Sequence, residues 1–124
     1  MIYHELDRKT GVLLVQPGGP LSRDDFRSLA AAVDPYILEA GNLKALIIRV
    51  ETFPGWENLV GLVEHFRFVK EHHRYIEKVA FVTDSKLVRL MPKLAEHFVN
   101  AEISAFPYSE LDAARRWVEE TDGV

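Results

Sequence analysis

The sequence of 124 residues contains no cysteine. Disulfide bonds, zinc sites made of thiolates and cysteine nucleophiles are therefore excluded. The sequence also has no apolar run near the roughly 18 residues that a membrane-spanning helix requires. Its first residues, Met1 to Glu5, lack the basic start and the apolar stretch of a signal peptide. We therefore expect a cytoplasmic protein that does not span a membrane.

Clustered positive charge is missing as well. Fifteen Lys and Arg residues stand against nineteen Asp and Glu residues, which gives a formal net charge of -4 with no basic block. Because contacts with phosphate groups need clustered cations, we expect no nucleic-acid partner. The content of 48% hydrophobic and 27% charged residues is typical of a globular protein, and the length fits a single domain.

Motifs that would mark a catalytic or metal site are also missing. His65 and His72 share a predicted helix face but lie about 10 Å apart along its axis, and one metal ion cannot bridge that distance with ligand bonds near about 2 Å. The stretch Asp84-Ser85-Lys86 shows neither a base nor an oxyanion hole for a serine nucleophile. We therefore expect no catalytic residue, no metal ion and no cofactor. A hydrolase or transferase would need polar groups that converge near Asp84.

What the sequence does contain is a regular alternation of short apolar runs and helical patterns. The apolar runs predict five β-strands, over residues 2–6, 12–16, 44–50, 78–83 and 102–106. The helical periodicity predicts about four helices, over residues 22–40, 56–73, 87–98 and 109–118. Ser22 and Ser109 are predicted N-caps, because each has an aspartate three residues later, at the spacing of a capping box.

The order of these elements predicts the fold class. The third strand is apolar on both faces, which is typical of a parallel or mixed sheet between helical layers. Helices that alternate with such strands imply a mixed, mostly parallel sheet with helices packed against it. The sequence therefore predicts one α/β domain over residues 1–124, with a five-stranded sheet and about four helices.

The second predicted helix carries the longest apolar stripe. Seven of its residues fall within about half of its circumference and are expected to face the core: Trp56, Leu59, Val60, Leu62, Val63, Phe66 and Val69. Phe68 and Tyr75 fall on the opposite face. A single exposed Phe is common in proteins, but these two side chains could instead form a self-association interface, and the protein would then be a homodimer.

Four stretches together carry a resemblance to a known family. They are residues 19–26 (GPLSRDDF), 53–56 (FPGW), 79–84 (VAFVTD) and 106–117 (FPYSELDAARRW). With the leading hairpin and the strand-helix units that follow it, they resemble the STAS domain of sulfate transporters and anti-sigma factor antagonists. Within that fold, the amino-acid sequence of these stretches is similar to that of the small bacterial SpoIIAA-like group, also described as STAS/SEC14-like. The resemblance spans nearly the whole chain and implies the STAS fold.

One STAS feature is absent from this sequence. In STAS regulators that antagonise anti-sigma factors, a phosphorylatable serine follows the third strand. Here that place holds the stretch 51–56 (ETFPGW), in which Thr52 is the only hydroxyl residue and precedes a Pro-Gly corner. The resemblance therefore does not extend to the phosphorylation switch.

The aromatic corner of Phe53 and Trp56 that replaces the serine turn suggests a binding site. Ligands of open α/β sheets bind outside the carboxyl ends of the strands, and residues after Asp84 follow another such end. The predicted ligand-binding residues are Phe53, Trp56, Val60, Asp84, Leu87 and Met91. The first hypothesis is a small apolar or amphipathic ligand such as a lipid or fatty acid, by analogy with SEC14-type carriers. The second is a protein partner that binds the same corner, and a third is that the two rings only cap the core.

Overall fold

The computed structural model describes residues 1–86 and 100–120, and in these ranges it has five strands and three α-helices. They are β1 (Ile2–Asp7), β2 (Val12–Pro17), α1 (Arg23–Ala40), β3 (Leu43–Arg49), α2 (Leu59–His72), β4 (Ile76–Val82), β5 (Glu102–Phe106) and α3 (Leu111–Glu119). A 3₁₀ turn over His73–Tyr75 joins α2 to β4. The helix predicted over residues 87–98, with Leu87 and Met91, lies outside the described residues.

The strands form one sheet in chain order, β1-β2-β3-β4-β5. Strands β1 and β2 are an antiparallel hairpin, and every later pair is parallel. Helix α1 connects β2 to β3, and α2 connects β3 to β4, as parallel pairs require a crossover. The predicted mixed, mostly parallel five-stranded α/β sheet is confirmed.

Alternate residues of the central strands supply two separate cores, because successive strand side chains point to opposite faces. Leu13 and Val15 of β2 belong to the core under α1 and α2. Val12 and Leu14 belong to the core on the other face, which α3 covers with Val118. The sheet therefore lies between two helical layers.

The N-terminal end of α1 agrees with the predicted capping box. The Ser22 hydroxyl accepts a hydrogen bond from the Asp25 backbone N–H at 3.2 Å, and the Asp25 carboxylate accepts one from the Ser22 N–H at 2.9 Å. This capping box confirms the predicted N-cap. The predicted cap of the last helix at Ser109 is wrong, because α3 begins later, with Glu110 as N-cap and no side-chain capping bond. A turn in which the Glu110 N–H donates to the Pro107 carbonyl at 2.8 Å still includes Ser109.

Helix α2 is rotated about its axis relative to the prediction. It begins at Leu59, after the N-cap Asn58, rather than near Trp56, and it buries Gly61, Phe68 and His72. A Cβ atom on Gly61 would lie 2.5 Å from the Leu21 carbonyl oxygen. The helix can approach the segment before α1 so closely because this position has no side chain. Four α2 residues of the stripe predicted to be buried are therefore exposed, and Leu62 and Val69 of the same stripe are half-buried.

Phe68 is the clearest correction. The prediction placed it on an exposed face, but it is only 8% exposed and packs in the core of α1 and α2. Its ring stacks on His72 with centroids 4.1 Å apart and lies 6.1 Å from the ring of Phe26. Tyr75 is exposed, in the 3₁₀ turn. Phe68 and Tyr75 therefore do not form an exposed interface together.

Candidate functional site

The aromatic corner after β3 is fastened to the segment that precedes α1. The Leu21 N–H donates to the Gly55 carbonyl at 2.8 Å, and the Glu57 N–H donates to the Leu21 carbonyl at 2.8 Å. Leu21 and Trp56 thus form a short parallel β-bridge. Gly55 has φ of 77°, a conformation that favours glycine. The loop therefore has a fixed backbone on which the two aromatic rings are mounted.

Trp56 lies between two other rings at this corner. Phe53 meets it edge to face, with centroids 5.0 Å apart, and is itself packed against the core. The Trp56 indole N–H donates to Nδ1 of His65 at 3.0 Å. His65 in turn stacks on Phe26 with centroids 4.8 Å apart. Trp56 remains 38% exposed, so the corner is a surface of packed rings.

These contacts determine the protonation of His65. An indole N–H can only donate, so Nδ1 of His65 carries no proton and the neutral ring has its proton on Nε2. Burial also lowers the pKa of His65 below its ordinary value, because the charged form loses its hydration. A neutral His65 is the form that holds the Trp56 ring in place.

Two of the other predicted ligand-binding residues, Val60 and Asp84, lie in the described part of the chain, whereas Leu87 and Met91 lie outside it. Val60 is exposed on α2, and Asp84 is exposed after β4. One carboxylate oxygen of Asp84 accepts a hydrogen bond from the Tyr108 N–H at 3.1 Å. Among the described residues, no hydrogen bond or ring contact joins Asp84 to Phe53 or Trp56. The structure therefore brings the rings of Phe53 and Trp56 into contact, whereas Val60 and Asp84 have exposed side chains.

The polar groups at the carboxyl ends of the strands bind one another. Arg49 at the end of β3 donates from Nε to the Tyr108 carbonyl at 3.2 Å, and its guanidinium lies 4.0 Å from the centre of the Tyr108 ring. The Thr83 hydroxyl donates to the Glu51 carbonyl at 3.2 Å. The first bond connects the end of β3 to the loop after β5, and the second connects the end of β4 to the loop after β3. They stabilise the strand ends near Asp84, where a hydrolase or transferase would need convergent polar groups.

A buried histidine ties α2 to α1. Nδ1 of His72 lies 2.7 Å from the Phe68 carbonyl, and Nε2 lies 2.7 Å from a carboxylate oxygen of Asp34. The carbonyl can only accept, so Nδ1 carries a proton. Both ring nitrogens are engaged, so neither offers a lone pair to a substrate. The sequence showed no sign of this pair, since the two residues are far apart in the chain.

Two surface hollows lie elsewhere on the molecule. A hollow of about 390 Å³ lies between the carboxyl-terminal ends of α1 and α2, beside Asp34, Leu38, His72 and Tyr75. A smaller hollow of about 110 Å³ lies between the β1–β2 hairpin and α3. Of the described ligand-binding candidates, none lines either hollow. Neither of these two hollows is therefore a cavity at the aromatic corner.

The outward face of α2 is an apolar surface that the sequence analysis assigned to the core. We call it the α2 apolar face, and it consists of Leu59, Val60, Val63 and Phe66. Leu59 is 72% exposed and Phe66 is 69% exposed, and the two valines are about half exposed. The signal that could have revealed it is the spacing of Gly61, Phe68 and His72, which share the opposite side of the helix.

Two further features limit the chemistry of the described ranges. Within residues 1–86 and 100–120, no three His, Asp or Glu side chains are grouped so that they could hold a metal ion. In the same part of the chain, no helix has the length and apolar character needed to cross a membrane.

Comparisons with known proteins agree on the fold. A family model described as SpoIIAA-like matches residues 12–119. An uncharacterized protein of the DUF3478 family from Shewanella loihica PV-4, with a SpoIIAA-like fold, is a similar solved structure. It has 16% sequence identity and a TM-score of 0.71, and the match covers 94% of this chain and 93% of that one. No curated protein matches. The family match covers most of the chain, which therefore belongs to the SpoIIAA-like family.

Proposed function

We propose that this STAS-type domain is a non-enzymatic binding module that uses the α2 apolar face to contact a partner protein. The observation that carries the proposal is the exposure of four adjacent apolar side chains on one side of α2. Contiguous apolar surface of this kind marks interaction sites in soluble proteins. Its spacing along one helix also fits the way in which helices recognise protein surfaces.

The aromatic corner supports a surface contact better than an enclosed ligand. Phe53 and His65 already occupy two sides of the Trp56 ring. A small apolar or amphipathic ligand, such as a fatty acid, would have to lie on the open face of α2. The net charge of -4 disfavours a surface of anionic lipids, because attraction to such a surface requires clustered Lys and Arg. We therefore propose a protein partner rather than a lipid.

The absence of enzymatic activity is part of this proposal. The strand-end groups Arg49, Thr83 and Asp84 are engaged in bonds to backbone groups. Both nitrogens of His72 have partners, and Nδ1 of His65 accepts from Trp56. Acid-base catalysis needs a group that can exchange a proton with substrate, and these arrangements serve packing instead.

A photo-cross-linking experiment tests the proposal. A benzophenone amino acid replaces Phe66 in one variant and Leu38 in a control, since Leu38 is 89% exposed but lies on α1. After irradiation in cells that make the natural protein, intact-mass analysis identifies what is attached. We expect a protein adduct at position 66 that is absent at position 38 and disappears when Leu59→Asp is added.

Two results would contradict the proposal. Equal adducts at both positions would show that the α2 apolar face has no specific partner. An adduct with the mass of a lipid at position 66 would replace the protein partner with the small apolar ligand of the first hypothesis.

A further inference from the structure

We infer that the protein covering the α2 apolar face is a second copy of this chain, with the two α2 helices packed antiparallel about a two-fold axis between Val63 and Phe66. The inference rests on the proposed function, because it names the partner of the same face. It depends on three properties of α2, which are the spacing of its apolar residues, the placement of its charges and the self-complementarity that both create.

The spacing fits a helix-helix seam. Leu59, Val63, Phe66 and Lys70 follow one another at intervals of four, three and four residues. At 100° per residue, these four positions fall within about 60° of the helix circumference. The same alternation of four and three forms the contact line between paired helices. Three of the four residues are apolar, and Lys70 at the end can lay its methylene stem along the seam.

The charged side chains at the two ends of α2 favour an antiparallel pair over a parallel one. Glu57 lies just before α2 and Lys70 lies in its last turn, and both are exposed. Among the described residues, neither side chain forms an ion pair. An antiparallel arrangement places Glu57 of each copy near Lys70 of the other. A parallel arrangement would place like charges together, which is unfavourable.

The positions along the axis agree with this pairing. Relative to a midpoint between Val63 and Phe66, Glu57 lies 7.5 residues before and Lys70 lies 5.5 residues after. Leu59, the first residue of α2, lies 5.5 residues before the midpoint and is therefore level with Lys70 of the other copy. Glu57 precedes Leu59 by two residues outside the helix, at most about 7 Å of chain, and the long side chains can span it. Arg67 adds no competing charge, since it is paired with Glu64 of its own helix at 3.2 Å.

A two-fold pair also closes on itself. In such an interface each residue contact occurs twice, so both apolar faces are covered by a single association. The macrodipoles of antiparallel helices also oppose one another favourably. The inference therefore predicts a dimer and no larger assembly through this face.

Sedimentation equilibrium of the full chain is the first test. We expect the natural protein to be a dimer, and Phe66→Glu to raise the dissociation constant at least about tenfold. The control Leu38→Glu should leave it unchanged. Glu57→Lys and Lys70→Glu should each weaken the dimer, and the double variant should recover most of the loss. A natural protein that is monomeric at every concentration would overturn the inference.

Engineered cysteines test the direction of the helices, since the chain has no native cysteine. Leu59→Cys mixed with Lys70→Cys should give a disulfide-linked mixed dimer under mild oxidation, because antiparallel pairing brings these positions together. Leu59→Cys alone should not cross-link, because its two copies would be about 16 Å apart along the axis. Cross-linking of Leu59→Cys with itself, and not with Lys70→Cys, would overturn the antiparallel arrangement.

The two proposals can fail separately. A monomer in sedimentation that still gives a different protein as the adduct at position 66 would overturn the second copy and retain the binding face. A monomer with no specific adduct would overturn both.

Discussion

At the residue scale, the contact between Trp56 and His65 shows how one side chain can determine the state of another. The indole requires an acceptor, so His65 presents an unprotonated Nδ1 at 3.0 Å. Burial and stacking on Phe26 remove water from the imidazole. A protonated His65 would lose the hydrogen bond to Trp56 and would have to regain its hydration. The corner should therefore loosen in acid.

The stability of the folded protein should report this effect. Burial lowers the pKa of His65 in the folded state below the ordinary value of 6.5. The unfolded chain therefore binds a proton that the folded chain does not, so the contribution is complete above pH 6.5 and is lost as the pH falls below it. Urea unfolding should show His65→Gln losing less stability than the natural protein on acidification. The difference can grow by at most about 1.4 kcal/mol per pH unit.

Gln at position 65 is the suitable replacement because its carbonyl can still accept from the Trp56 indole and does not titrate. Parallel stability curves for the two proteins between pH 7 and pH 5 would contradict the assignment of a neutral, buried His65.

Gly61 supplies a second prediction at this scale. An added Cβ would lie 2.5 Å from the Leu21 carbonyl oxygen, and a backbone atom cannot move aside cheaply. We expect Gly61→Ala to lower the free energy of unfolding by about 1–3 kcal/mol, the range of an overpacked site. Gly19→Ala is the control, because nothing lies within 4 Å of the Cβ position there. If both variants melt at the same temperature, the close approach of α2 to Leu21 is wrong.

At the element scale, the orientation of α2 depends on contacts far away in the sequence. Its apolar residues alone favour an inward stripe through Leu59, Val63 and Phe66. The observed orientation instead gives His72 its contact with Asp34 of α1 at 2.7 Å and allows Gly61 to approach Leu21. Asp34 and Leu21 lie more than 35 residues from their α2 partners.

The difference between local patterns and distant contacts explains which features could be predicted from the sequence. The strand β5 and the cap at Ser22 follow from runs and spacings within a few residues, so they were predicted correctly. The same applies to the alternation of strands and helices that predicts the sheet. The rotation of α2 and the neighbours of Trp56 depend on which distant groups meet, and no local pattern records that.

A matched pair of phenylalanines tests the orientation of α2. Phe68 is buried in the core, and Phe66 is exposed on the same helix. We expect Phe68→Ala to lower the free energy of unfolding by about 3–5 kcal/mol. Phe66→Ala should change it by no more than about 0.5 kcal/mol at protein concentrations too low for association. Denaturant unfolding of the two variants measures the difference, and a larger loss for Phe66→Ala would restore the inward stripe predicted from the sequence.

At the scale of the whole molecule, one lysine connects the central sheet to its second helical layer. Lys78 of β4 is buried, and its Nζ donates to the carbonyls of Trp117 at 2.9 Å and Glu120 at 3.1 Å. The ammonium group also lies 4.9 Å from the Trp117 ring. Both carbonyls lie at the carboxyl-terminal end of α3, where backbone carbonyls lack helical partners, and that of Trp117 also accepts from the Glu120 N–H at 3.3 Å. A cation there is favoured by the helix dipole.

Replacement of this lysine should detach the end of α3. Lys78→Met keeps an unbranched stem but removes the ammonium donor from both carbonyls, so we expect a loss of about 1.5–3 kcal/mol, the range for hydrogen bonds to charged groups. Thermal unfolding and Trp117 emission, followed in a Trp56→Phe background, measure the effect. Lys9→Met, at an exposed turn, is the control. Equal stability of the two variants would show that Lys78 does not hold α3.

The chain order of the sheet has a consequence for how the protein is made. Strands β2 to β5 each pair with the strand that precedes them in the chain. During translation, each new strand therefore leaves the ribosome after its partner has already been synthesised. From β1 to β4, the segments between paired strands contain only a turn or a single α-helix with its flanking loops, so the entropy of closing them stays modest. The domain can extend its sheet from the amino-terminal hairpin onward, without exposing an early strand that must wait for the end of the chain.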